Sequence, residues 1–157
     1  MADAETITKV TKYMSTLNKN ASESMQEVGV NACTDVTGFG LLGHACEMVQ
    51  DSNVGMMIYS SAVPIFPEAI EFARMGLVPG GTQRNREFRA PMVELASELS
   101  DYMSDILFDP QTSGGLLISV GAARAGILLA RLHKVGVAEA AVIGEVMKQP
   151  AQRIVIK

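Results

Sequence analysis

Two short stretches of this chain concentrate groups able to handle a charged ligand. The first is Thr34-Asp35-Val36-Thr37-Gly38-Phe39-Gly40-Leu41-Leu42-Gly43-His44, and the second is Asp109-Pro110-Gln111-Thr112-Ser113-Gly114-Gly115. In the first, glycines let backbone N–H groups face an anion at the N-terminus of a helix. The carboxylate of Asp35 would repel that anion unless a cation lay between them. A hard divalent ion suits the position, because it takes carboxylate oxygen and keeps its other places for water and substrate phosphate. Thr34 and Thr37 add hydroxyl donors. The competing account has Asp35 or Thr37 capping the helix while the glycines make a tight turn. The string alone leaves both open.

Gly38 to Gly43 also matches the G-x-G-x-x-G string of dinucleotide-binding folds, after a strand and at the start of a helix. That pattern requires an acid at the end of the second strand, about 20 residues on, to hold ribose hydroxyls. Here the second strand runs into Tyr59-Ser60-Ser61 instead. An aspartate just before the glycines would also repel a pyrophosphate, so the dinucleotide reading fails.

The second stretch packs an acid, an amide, two hydroxyls and two glycines between what read as two apolar strands. It can form an anion-binding nest, or it is a tight connection in which Asp109 and Thr112 satisfy their own backbone. Gly80-Gly81-Thr82 with Asn85 is a weaker third candidate, read as a loop. His44 and Cys46 stand two apart on a predicted helix, which argues against a zinc site formed with Cys33. His133, between Arg131 and Lys134, reads as a solvated residue at a helix C-terminus. Neither a Ser-His-Asp order nor a P-loop lysine is present.

These groups need elements to hold them. Ile7, Val10, Met14, Leu17, Ala21, Met25 and Val28 recur at helical spacing, predicting one long helix stopped by Gly29. A strand over 32–36, the glycine loop and a helix from Leu41 to Val49 follow. Residues 54–59 read as a buried strand, and Pro67 opens a helix that Gly76 ends. Pro91 is expected to open another, through Leu99. The remainder reads as a strand over 106–108, a strand over 116–120, a helix over 122–134, and strands over 141–146 and 153–156 that a turn at Pro150 can join as a hairpin. Strands and helices intermix without a strict βαβ rhythm, which predicts an α+β fold with a mixed sheet covered by helices.

A chain of 157 residues, 48% hydrophobic, suits one domain with one substantial core. A formal net charge of −4 leaves no basic field for nucleic acid or an anionic membrane surface. Any phosphate must therefore be held locally. The chain has no spanning apolar run and no signal-like start, and its two cysteines, Cys33 and Cys46, make no disulfide framework; a cytoplasmic protein is expected.

Both long motifs resemble the signatures of the C-terminal half of the selenophosphate synthetase (selenide, water dikinase) family. Met14-Ser15-Thr16-Leu17-Asn18-Lys19, Gly80-Gly81-Thr82 and Val142-Ile143-Gly144-Glu145-Val146 agree with it in order, so the resemblance covers nearly the whole chain. It implies the fold of the aminoimidazole ribonucleotide synthetase C-terminal domain, and a reaction in which ATP, selenide and water give selenophosphate, AMP and orthophosphate. By motif position, Asp35 resembles an aspartate that joins others in holding Mg2+ beside ATP. Thr37, Gly38 and Gly40, with Gln111, Thr112, Ser113, Gly114 and Gly115, are implied as phosphate-side neighbours. The family's N-terminal half carries the reactive cysteine or selenocysteine with its lysine, most ATP contacts, the other metal aspartates and the main homodimer surface. None of that half is in these 157 residues, and neither Cys33 nor Cys46 matches the reactive position. The single domain 1–157 is thus expected to be the C-terminal half of a two-domain enzyme, folded but inactive by itself. Alternatives are another ATP-dependent enzyme of the same superfamily and a stand-alone module that binds a phosphorylated metabolite.

Overall fold

In a computed structural model, which describes residues 2–157, the apolar period from Ile7 to Val28 is carried by two helices rather than one. Helix α1 spans Ala4–Ser15 and α2 spans Lys19–Val28. The hydroxyls of Ser15 and Thr16 both donate to the Lys12 carbonyl, and Thr16 turns extended at ψ 124°. Such local bonds compete with the helical ladder and end α1. Asn18 then stands at the N-cap of α2, and Gly29, at φ +78°, closes it.

Strand β1 (Ala32–Asp35) leads through the glycine loop into α3 (Gly40–Val49), then β2 (Gly55–Ile58) and α4 (Pro67–Arg74). Three expectations fail in the next stretch. Residues 80–85 are not a loop but the first half of helix α5 (Gly80–Arg89). Past Pro91 there is no helix: a 3-10 turn leads into strand β3 (Val93–Leu95), because pairing with a distant strand outweighs local propensity. The apolar run 106–108 is the end of helix α6 (Asp101–Phe108), not a strand. The second polar stretch therefore joins a helix to a strand, β4 (Leu116–Ser119), after which come α7 (Ala122–Lys134), β5 (Gly144–Met147) and β6 (Ile154–Ile156).

The strands form two sheets, one of two strands, β1-β4, and one of four, ordered β3-β6-β2-β5. In the larger, β6 runs parallel to β2 and β3 while β5 runs antiparallel to β2, so the sheet is mixed, as expected for the α+β class. The expected β5-β6 hairpin is absent, because β2 lies between them. Each sheet has its own core. Leu42, Ala45, Cys46 and Val49 of α3 pack with Met56, Ile58, Ile154 and Ile156 of the larger sheet and with Leu107 and Phe108 of α6. Burial of each large side chain there contributes about 1.5–3 kcal/mol. Ala21 of α2 and Leu128 and Leu132 of α7 cover β4 through Leu116 and Ile118. β1 belongs to the second assembly and α3 to the first. The glycine loop thus crosses from one core to the other.

Candidate functional site

β1 and β4 are antiparallel with Asp35 opposite Leu116, a register that brings the two polar loops to the same end of the small sheet. There the backbones zip together. Val36 N–H donates to Gly115 O at 2.9 Å, Gly114 N–H to Val36 O at 2.9 Å, and Gln111 N–H to Thr37 O at 3.0 Å. Two glycines are needed for so close an approach. Gly40 sits at φ +70°, and a Cβ there would lie 2.7 Å from the Asp109 carbonyl oxygen; a Cβ on Gly114 would meet Val36 at 2.9 Å.

Helix α5 locks this junction from the side. The Asn85 amide donates to Gly38 O at 2.9 Å and to Phe108 O at 3.0 Å, one carbonyl from each loop region. Three residues earlier, the Thr82 hydroxyl, 1% exposed, donates to Asp109 Oδ1 at 3.1 Å. Gln111 Nε2 donates to the other oxygen of the same carboxylate at 3.0 Å. Burial raises the pKa of Asp109, against the opposing pull of these two hydrogen bonds, and nearby Asp105 raises it further.

Neither competing account of the first loop as a side-chain cap is realised. The N-cap of α3 is Phe39, which makes no side-chain capping bond, and the Thr37 hydroxyl is paired with His44 Nε2 at 3.1 Å. Asp35 is exposed at the end of β1, and among the described residues its carboxylate has no hydrogen bond or ion pair. It is a hard oxygen donor with its lone pairs available, beside a helix N-terminus that favours negative charge. No group of three or more His, Cys, Asp or Glu side chains is assembled among the described residues, so Asp35 is one ligand and not a cage. In the second loop, Gln111 has its amide committed to Asp109, Thr112 and Gly114 are exposed, and Ser113 and Gly115 are half-buried.

A family model described as "AIR synthase related protein, C-terminal domain" matches residues 4–157. The chain belongs to that family. It is 47% identical over 157 residues to the selenide, water dikinase of Pelobacter propionicus and 45% identical over 157 residues to that of Caldanaerobacter subterraneus. In each case all of this chain is covered, and it spans 45% of the relative's length. The crystal structure of E. coli HypE shares the fold, with a TM-score of 0.57 at 23% identity over 87% of this chain and 34% of that one.

As an AIR synthase related domain, the chain carries two supporting side chains that the sequence reading missed, Arg89 of α5 and Glu47 of α3; Thr82 and Asn85, read only as part of a weak loop candidate, and His44, weighed only for zinc, join them in the structure. The α5 set recurs at helical spacing, a legible signal once 80–89 is known to be a helix. His133 is exposed, as expected, with its ring 2.8 Å from the Ala140 carbonyl. Cys46 is a core residue whose burial pushes its thiol up to about 11. Burial and the neighbouring Asp35 charge also raise Cys33. Neither is poised as a thiolate. Among the described residues no helix is long and apolar enough to cross a membrane.

Proposed function

We propose that this chain is the C-terminal half of a two-domain selenide, water dikinase and contributes one wall of its ATP site. The observation that carries the proposal is the joining of the two polar loops by backbone bonds at 36, 37, 111, 114 and 115, with the exposed Asp35 carboxylate left unpartnered at their edge. Identity of 45–47% to two curated selenide, water dikinases, with those same loops inside the matched span, supports it.

The reaction takes ATP, selenide and water to selenophosphate, AMP and orthophosphate. One phosphate stays in AMP, one passes to selenium, and the third leaves as orthophosphate. Phosphoryl transfer is chiefly positioning and charge stabilisation. A magnesium ion, when bound, supplies the positive charge that offsets the triphosphate. This chain's part is to present Asp35 as one oxygen ligand to that ion and to set the exposed Gly38 backbone on the phosphate side before α3, with Thr37 beside it; Gly40, buried and with its N–H donated to Thr37 O at 2.9 Å, shapes the turn instead of meeting phosphate. The Gln111-Thr112-Ser113-Gly114-Gly115 loop stands beside them, with Gln111 serving through its backbone and its bond to Asp109. The remaining ligands, the selenium-handling residue, most ATP contacts and the homodimer surface belong to an N-terminal domain, so the chain alone is inactive.

Complementation in two pieces tests this. Mixing the domain with a separately folded N-terminal half should restore ATP- and selenide-dependent selenophosphate, read by phosphorus NMR. If the halves associate and no selenophosphate forms, the proposal is wrong.

A further inference from the structure

A chain of polar contacts runs back from the glycine loop into the protein. Thr37 Oγ1 lies 3.1 Å from His44 Nε2, and His44 Nδ1 lies 2.9 Å from Glu47 Oε2. The other oxygen of Glu47 is 3.4 Å from Arg89 Nη2, while Arg89 Nη1 donates to Gln50 Oε1 at 3.3 Å. His44 and Arg89 are each 7% exposed. An i, i+3 pair on α3 thus aligns a ring with a carboxylate, and a buried guanidinium from α5 fixes the carboxylate's other side.

The polarity of this chain follows from its chemistry. An ionised carboxylate only accepts, so Nδ1 must carry the proton that faces Glu47. In the neutral ring Nε2 is then a bare acceptor. The proton between Nε2 and Thr37 must come from the hydroxyl. Thr37 spends its single donor inward and is left with oxygen lone pairs on its open side.

We propose that His44 and Glu47 are a positioning couple that turns the Thr37 hydroxyl into an acceptor toward the ligand space. The group it suits is a donor, namely the water shell of a divalent cation held near Asp35, and not a bare phosphate oxygen. Thr37 thereby differs in role from the exposed Gly38 backbone beside it, which the functional reading above sets on the phosphate side, while the Val36 and Gly40 N–H groups are spent on Gly115 O and Thr37 O. This assignment rests on the functional reading above for its ligand, while the couple itself is a property of the isolated domain.

Nitrogen-15 NMR of the imidazole at pH 8 tests it on the domain as it stands. The expected result is a protonated Nδ1 and an unprotonated, hydrogen-bonded Nε2. The Nε2 resonance should move toward that of a free lone pair in Thr37→Val and return in Thr37→Ser, a rescue that a purely packing role would not produce. An Nε2–H tautomer or an imidazolium at that pH overturns the proposal, as does an Nε2 resonance indifferent to Thr37→Val. The two readings separate cleanly. The expected tautomer in a domain whose reunited halves make no selenophosphate sinks the proposed function and leaves the couple standing; an Nε2–H ring in an active assembly does the reverse.

Discussion

The Asn85 side-chain amide donates to the carbonyl of Gly38 at 2.9 Å, and its second N–H reaches Phe108 O at 3.0 Å. One residue therefore holds the glycine loop against the end of α6. Removing it leaves two carbonyls without that partner, at a cost of about 1–3 kcal/mol. Asn85→Ala is expected to lower the unfolding free energy by that amount, read as a lower urea midpoint at unchanged slope. Asn85→Asp should be worse, because a carboxylate would face two carbonyl oxygens. Equal stability of the Ala and Asp variants would show that the amide is not the link.

Gly40 offers a test of backbone geometry against side-chain chemistry. At φ +70° with the Asp109 and Phe108 carbonyls 2.7–2.8 Å from any Cβ, Gly40→Ala meets an unfavourable conformation and immovable backbone together. The loss should be at least about 2 kcal/mol. Gly126 is the control. It lies within α7 with nothing within 4 Å of a Cβ, so Gly126→Ala should stabilise by up to about 1 kcal/mol. Thermal or urea melts of the two variants should move in opposite directions.

The half-buried Asp109 predicts a pH dependence with a definite sign. Burial, the largest influence, raises its folded pKa above the ordinary 3.8, so folding favours the protonated form. Its contribution is fully present below the unfolded value and is lost as pH rises through the raised folded value. Asp109→Asn removes the titration. Subtracting the variant's stability from that of the wild type at each pH should give a difference that is most favourable to the wild type below about pH 3, falls as pH rises through the ordinary value and the raised folded one, and levels off once Asp109 is ionised in the fold. A difference that grows with pH would mean that the Thr82 and Gln111 hydrogen bonds outweigh burial.

The parts of the fold legible in the sequence were those in which pattern and packing agree. The strand, glycine loop and α3 were readable because Leu42, Ala45 and Val49 keep helical spacing and all three are fully buried. The misread parts each set a local signal against a tertiary one. Gly80 and Gly81 look like a loop, yet they occupy the first turn of α5, with Gly81 close under Pro110, and the run from Thr82 to Arg89 carries the helix on. Ile106 to Phe108 is β-prone in composition but closes a helix whose Leu107 and Phe108 fill the larger core. The cost fell on the candidate site. With 80–85 taken as a loop, the common face of Thr82, Asn85 and Arg89 was invisible, and so was the way α5 joins loops 74 residues apart in sequence, counting from Asp35 to Asp109. Asp35 needed no such context, because a carboxylate directly before a glycine-rich helix start is conspicuous by itself.

That exposure makes Asp35 the residue at which stability and activity should part most sharply. Its carboxylate is exposed at the strand end and accepts no bond among the described residues, so Asp35→Asn should leave the domain's stability within about 0.5 kcal/mol. Under the proposed function, the same change in the reunited enzyme removes a charged ligand to the ion that offsets the triphosphate. Loss of one such group should lower selenophosphate formation by about 10² or more, near 2.7 kcal/mol of transition-state stabilisation. Raising the magnesium concentration should recover part of it, since a weakened ion site answers to mass action and a misfolded one does not. Urea unfolding of the isolated variant, beside turnover of the reunited halves across a magnesium series, measures both sides. Full activity in the Asn variant would remove Asp35 from the metal site; a large loss of stability would assign it to the fold.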